Sequence, residues 1–375
     1  MPQTRPTPRL LRGITDETVV RRLLAGVPMT RAEVAADSGL SKPAVAQSVE
    51  RLVARGLVVE TGERTTTRGG VGIYYALAPG AGHALAVAIS AESIVAELLS
   101  PNGAVLGRAE APIGNPVPAD LSDLLSAVVA SVLAPVDGGS VRVASVSAAD
   151  PVDRHTGRLV HLPDAPFLVG SLDPVEVVGA LVAGPVVVDN DVNWSARAER
   201  SALLAAGEAG RADDFVYLHL GTGLGCAVVT DGEVCRGCGG LAGEVAHILT
   251  RGRDGMAVAF TEVFAGLGVR VPESTAVDVP ALADLVATDR VARQVVSVAV
   301  AGVIAATIGL TDPAAVVMGG TWGPLVAADV AGVLATAPRP VPVALPLLTA
   351  EPPLAGARAD ATARLVSDIV ARAQA

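Results

Sequence analysis

Between Thr30 and Leu52 two short helical patterns meet at Gly39, and two helices joined by so tight a turn can pack in only a few ways. Thr30, with Glu33 three residues on, has the form of a capping box, and Gly39 supplies the backbone freedom the turn needs. Ser41 caps the second helix. Pro43 falls in that helix's first turn, where its missing N–H has no partner to lose. Val45, Val49, Leu52 and Val53 then recur at helical spacing, a face to pack on Val34, Leu40 and a preceding helix carrying Val19, Val20, Leu23 and Leu24. The opposite face carries Ser41, Lys42, Ala44, Gln47, Ser48 and Arg51, small or long polar side chains of the kind that reach base edges and phosphates from a major-groove helix.

A short strand at 57–59, a polar stretch over 60–72 and a second strand at 73–77 follow, which predicts a hairpin. Its tip holds Arg64, three consecutive threonines, Arg68 and Gly69, Gly70 and Gly72, suited to lie along a phosphate backbone or in a minor groove. A helix-turn-helix followed by such a wing implies a DNA-binding module over 1–78.

Charge divides at the same place. Residues 1–78 carry 11 Lys and Arg against 7 Asp and Glu, whereas the remainder carries 17 against 31. The basic end is the end that suits DNA, and the acidic bulk, which would repel it, should meet small molecules or copies of itself. Aromatic residues make up only 2% of the 375, so cores must be built from Val, Ala and Leu. Lys42 is the single lysine, a bias from which no chemistry is read. Cys226, Cys235 and Cys238 are too few for a disulfide framework, and the N-terminus does not have the form of a signal peptide, which implies a cytoplasmic protein. The most apolar run, 295–310, is too short and too rich in Ser, Gly and Ala to span a membrane and reads as a buried helix.

After Pro79-Gly80, a linker signal over 79–82, the pattern turns to strands at 84–89, 94–99 and 104–109, a meander, and then to helices alternating with buried strands at 141–146, 185–189, 215–220 and 315–318. That is an α/β arrangement, with ligands expected at the carboxyl ends of strands. Asn190-Asp191-Val192-Asn193 sits at one such end, ahead of a helix through 197–206. At another lies Gly221-Thr222-Gly223-Leu224-Gly225, where absent side chains would admit an anion to backbone N–H groups, although a tight hairpin accounts for the glycines equally well. Gly243-Glu244-Val245-Ala246-His247 sets a carboxylate and an imidazole three residues apart, on one face if helical.

In this order and spacing these segments, together with 231–247 and its Gly-Leu-Ala-Gly-Glu run and Asp312-Pro313-Ala314-Ala315-Val316-Val317-Met318-Gly319-Gly320, resemble the ROK (repressor, open reading frame, kinase) family. With the winged helix in front, nearly the whole chain is similar to the repressor branch. The resemblance implies an α/β fold: a winged helix-turn-helix, then a two-lobed, actin-like (ribonuclease H-like) domain over 83–375, with lobes over 83–190 and 191–355 and a C-terminal helix at 356–375 packing back. It further implies that Asn190, Asp191, Glu244 and His247 hold sugar hydroxyls, that Asp191 stands where the kinases have their base, and that Glu262 matches another sugar-binding glutamate. The bland alternative is that Asp191 caps a helix and Glu244 and His247 form a surface pair.

Two departures from the family matter. Where ROK kinases carry an Asp-x-Gly-x-Thr phosphate loop this chain has Ala88-Ile89-Ser90-Ala91-Glu92, without glycine and with a carboxylate that would repel a triphosphate. The cysteine cluster that follows the family's histidine is also missing from 249–266. Cys235 and Cys238, with Cys226 and His247, leave a substitute zinc site open, but core-filling cysteines are the commoner case, so neither metal nor cofactor is expected. The implied molecule is a non-enzymatic, DNA-binding regulator of carbohydrate metabolism, a homodimer or homotetramer on operator DNA, that senses a sugar or sugar derivative. The alternatives are a sugar kinase with an appended DNA-binding domain and a regulator that senses another metabolite.

Overall fold

The computed structural model describes residues 7–67, 70–114, 121–160, 162, 172–272 and 274–375. The winged helix comprises α1 (Pro8–Leu23), β1 (Met29–Thr30), α2 (Arg31–Ser38), α3 (Lys42–Ala54), β2 (Val58–Thr67) and β3 (Gly70–Leu77). Its capping agrees with the sequence. Thr30 and Glu33 exchange both hydrogen bonds of a capping box, Gly39 ends α2 in the left-handed conformation, and Ser41 caps α3 with Pro43 in the first turn. Val19, Val20, Leu23, Val34, Val45, Val49 and Leu52 form the buried seam, while Val53, expected there, is exposed. The wing differs in extent from the expected hairpin, because its strands run through the polar stretch and pair from Val58↔Leu77 to Thr67↔Gly70 across an irregularity between Glu60 and Arg64. Strand pairing needs backbone donors and acceptors rather than apolar side chains, so the polar stretch was no barrier to it. Arg68 and Gly69 lie outside the described residues.

The first lobe contains β4 (His83–Ile89), β5 (Ser93–Leu99), β6 (Val105–Pro112), α4 (Leu121–Leu133), β7 (Val141–Ala148), α5 (Pro174–Gly179) and β8 (Val186–Asn190). Then α6 (Asp191–Ala205) and the short α7 (Ala209–Ala212) lead into β9 (Phe215–Leu220), β10 (Leu224–Thr230), β11 (Glu233–Val234), β12 (Leu249–Arg251) and β13 (Ala257–Ala259). The second lobe finishes with α8 (Phe260–Gly266), α9 (Val279–Thr288), α10 (Arg290–Thr311), β14 (Ala315–Gly319), α11 (Gly323–Leu334) and β15 (Val343–Ala344). The last element is α12 (Pro352–Gln374).

The first sheet is ordered β6-β5-β4-β7-β8 and the second β11-β10-β9-β14-β15. Within each, a meander of three strands is followed by two that join in parallel. One topology used twice is the architecture of a two-lobed, actin-like fold. Helices α4 and α5 cover one face of the first sheet; α12 crosses the other and packs on α6 and α1. One apolar cluster accordingly runs from Val20 and Leu52 of the winged helix through Leu365 and Ile369 of α12 to Ala84, Val143 and Trp194. Arg290–Thr311 is the single helix among the described residues long and apolar enough to cross a membrane, and half of its apolar window is buried inside the second lobe.

Candidate functional site

Strand β8 ends at Asn190, and α6 begins at the next residue. The Asn190 carboxamide oxygen accepts from Val192 N (2.9 Å) and its Nδ2 donates to the Asp150 carbonyl (3.2 Å), so this side chain caps the helix and ties it to the end of β7. Helix capping therefore falls to Asn190, and Asp191 occupies the first turn with its Oδ1 accepting from Val192 N (2.8 Å). Behind them, buried Asp189 accepts from Asn190 N (2.9 Å) and Asn193 Nδ2 (2.9 Å) and pairs with Arg197 (2.7 Å) and Arg236 (3.2 Å).

Strand alternation brings a further group to Asp191. In β9, Val216, Leu218 and Leu220 face the second-lobe core while Phe215 and Tyr217 face α6. His219 follows on that second face, at the level of the first turn of α6. Burial drives its imidazole pKa down, against the pull of the Asp191 and Glu92 carboxylates; burial drives Asp191 up, against His219 and the donors around it. Nothing in a family motif or a glycine loop marks His219 in the sequence. The available signal was a polar residue two places before a glycine loop, on the face of β9 opposite Val216 and Leu218.

The glycine loop serves two ends. Residues 221–223 turn β9 into β10, with Leu220 opposite Leu224, and 221–225 line the cavity. Trp322 Nε1 donates to the Gly221 carbonyl (2.9 Å), which holds the loop from behind. Residues 241–248 are turns, not the helix that would have put Glu244 and His247 on one face. Gly243 imposes this path: its φ is 101°, its carbonyl accepts from Cys226 N (3.0 Å), and a Cβ would run into the Cys226 carbonyl oxygen. Glu244 is delivered to the cavity mouth, where desolvation of the carboxyl and then the neighbouring Asp191 push its pKa up to about 7, although part of the residue stays accessible.

The cavity encloses about 270 Å³ between Ala91, Glu92, Ala149 and Pro151 of the first lobe, the start of α6, and the loops of the second. Of the sequence candidates it gathers Asn190, Asp191 and Glu244. His247 is exposed on the turn beyond Glu244 and does not line it. Glu262 points elsewhere too, since its carboxylate pairs with Arg270 on the surface. Glu92 does line the cavity, placed by a tight turn in which Ser90 Oγ accepts from Glu92 N (3.1 Å) and Ser93 N (3.0 Å).

The cysteines are dispersed in their environments: Cys226 is buried, its thiol pushed up to about 12, while Cys235 and Cys238 are exposed. Among the described residues no group of three His, Cys, Asp or Glu is arranged to hold a metal ion.

On the winged helix, Ser41, Lys42 and Gln47 are exposed along α3, Ala44 is half-buried beside them, and Arg64 is exposed on β2. Two candidates do not share that face. Ser48 is fully buried and donates to Asp16 Oδ1 (2.6 Å), and Arg51 grips both oxygens of the same carboxylate (2.6 and 3.0 Å). A carboxylate buried on α1 needs compensating donors, and those two residues lie one turn apart on the inward edge of α3.

Fold and cleft together define a winged helix-turn-helix joined to an actin-like domain with a ligand-sized cavity between its lobes. The chain carries a ROK family domain, matched over residues 84–266. N-acetylmannosamine kinases of Escherichia coli O157:H7 and Shigella flexneri are 31% identical over 172 residues, 44% of this chain and 53% of theirs, so the chain spans about half the length of the curated relatives it matches. A ROK family transcriptional regulator, a homolog of the E. coli MLC protein, shares the fold over 97% of this chain and 99% of its own at a TM-score of 0.63 and 17% identity. The ROK hexokinase of Thermus thermophilus (TM-score 0.56, 21% identity) covers 75% of this chain and 98% of its own. A Streptomyces griseus ROK glucokinase, solved with glucose and AMPPNP, covers 75% and 99% (TM-score 0.53, 21%).

Proposed function

We propose that this protein is a transcriptional regulator of carbohydrate metabolism, in which residues 1–78 bind operator DNA, 79–82 link, and 83–375 sense a sugar or sugar derivative without phosphorylating it. The observation that carries this reading is the turn after β4. Where kinases of this family present a glycine-containing phosphate loop, Ser90, Ala91 and Glu92 form a closed turn with a carboxylate toward the cavity. In-line phosphoryl transfer needs phosphates positioned and their charge neutralised, and a carboxylate there opposes both. Asn190, Asp191 and Glu244 remain around the cavity, a set suited to accept from sugar hydroxyls. We place the protein in the cytoplasm as a dimer or tetramer whose paired winged helices meet a roughly two-fold operator through Ser41, Lys42, Ala44, Gln47, Arg64 and, outside the described residues, Arg68.

One observation favours the second reading, a sugar kinase with an appended DNA-binding module: Asp191, at the position of the kinase base, is half-buried at the cavity with a raised pKa. The full chain should be incubated with ATP, Mg²⁺ and a panel of hexoses, and in parallel selected against random duplex DNA. We expect an enriched, two-fold sequence and no sugar phosphate. Turnover at an enzymatic rate with no enriched sequence would reverse the assignment.

A further inference from the structure

Electrostatics narrows the ligand class, on the premise that the cleft binds a sugar-like molecule. Three carboxylates, Glu92, Asp191 and Glu244, surround one cavity of about 270 Å³, and among the described residues its lining holds no lysine or arginine. Two guanidinium groups that follow the start of α6 and the second-lobe loops, Arg197 and Arg236, pair with buried Asp189 and are not part of that lining. His219 also lines the cavity, and burial disfavours its charged form against the pull of Asp191 and Glu92. The carboxylates also act on one another: Asp191 raises Glu244, and Asp191 and Glu92 both act on His219, so the charges converge on one volume. Proton uptake relieves part of that convergence, as the raised Glu244 pKa shows; a bound ammonium would relieve it further, whereas a phosphorylated hexose would worsen it.

We propose that the ligand of this cleft carries a free, protonated amine together with hydroxyls, an amino sugar or aminated polyol, and that Glu92 receives the amine while Asn190, Asp191 and Glu244 hold hydroxyls. The turn at 90–93 thus has a positive use: the carboxylate that disfavours a phosphate chain is the one that favours a cation. An ammonium–carboxylate hydrogen bond in a partly enclosed site sets the scale, a preference of about 10- to 100-fold over the neutral analogue.

The test is calorimetry on the full chain at neutral pH and low salt with glucosamine, mannosamine and galactosamine, their N-acetyl derivatives, the parent hexoses and the corresponding 6-phosphates. One of the free amines should bind at least tenfold tighter than both its N-acetyl and its parent form, the margin should shrink with added salt, and the 6-phosphates should be weakest. Glu92→Gln, at an exposed turn where the fold is checked by circular dichroism, should cut the margin of the free amine over its parent hexose several-fold. Equal or better binding of parent or N-acetyl sugars overturns the amine assignment and leaves sugar sensing standing. An amine preference untouched by Glu92→Gln overturns the role of Glu92. If no sugar in the panel binds, charged or neutral, the sugar-sensing reading itself falls, and this inference with it.

Discussion

Glu244 shows how one side chain reports on the cleft. Desolvation, then Asp191, lifts its pKa from the ordinary 4.5 to about 7. Between those values the folded protein keeps a proton that the unfolded chain has lost, so this group's contribution to stability is greatest below pH 4.5 and declines as pH rises through 7. Glu244→Gln stays neutral throughout. Its melting temperature should therefore gain on the parent's as pH is raised from below 4.5 to above 7, and a constant difference would mean that the carboxyl titrates normally. The neighbouring Gly243 has φ at 101° and no room for a Cβ against Cys226. Gly243→Ala should cost about 3 kcal/mol in denaturant unfolding, the size of a backbone strain joined to a clash.

Helix α3 has two edges with different work. Ser48 and Arg51 bind buried Asp16 on α1, and Arg55 extends the same cluster to the Ala373 carbonyl on α12. Asp16→Ala would leave a buried hydroxyl and two guanidinium groups without their carboxylate, at a cost of about 2–3 kcal/mol once partial exposure of the arginines is allowed for. Arg51→Ala should likewise lower the melting temperature rather than change operator preference. Gln47→Ala should do the reverse, altering sequence preference at unchanged stability, and Arg64→Ala on the wing should weaken binding to every duplex while reducing the salt slope by about 1. Binding titrations beside thermal melts separate these outcomes.

At the scale of the whole molecule, α12 packs on both α1 of the winged helix and α6, the helix that begins at the cleft. Near its start, Gly356 lies so close to Trp194 on α6 that a Cβ would meet the Trp194 carbonyl oxygen, and the Trp194 indole donates to the Val146 carbonyl on β7 (2.9 Å). At its end Ile369 and Ala373 share an apolar cluster with Val19, Val20 and Leu52. A ligand at the N-terminus of α6 can alter operator affinity only by binding two arrangements of these elements unequally, which typically amounts to about 5- to 150-fold. Asp191→Ala should abolish ligand binding and spare operator binding by the empty protein. Gly356→Ala, which wedges α12 from α6, should retain ligand binding yet lose most of the ligand's effect on operator affinity; an undiminished response would exclude this route.

Much of this was legible locally. The capping box at Thr30 and Glu33, the left-handed Gly39, Pro43 in the first turn of α3, and the strands at 84–89, 141–146 and 215–220 rest on interactions within a few residues or on short-period patterns, so the chain's own order reveals them. The segment ending in Asn190 and Asp191 and the glycine loop at 221–225 were visible because each lies at the end of a recognisable strand. What depended on distant pairing was not visible. Helical spacing alone sets Ser48 and Arg51 outward, because nothing near them in sequence announces Asp16, 32 and 35 residues away. His247 and Glu262 follow the family pattern in sequence, yet turns at 241–248 and an ion pair with Arg270 leave them outside the cavity. His219 and Glu92 came to line one cavity only when two sheets of like topology closed on α6. Local order decides which residues form an element, but the free energy of burying a charge depends on what the rest of the chain brings beside it.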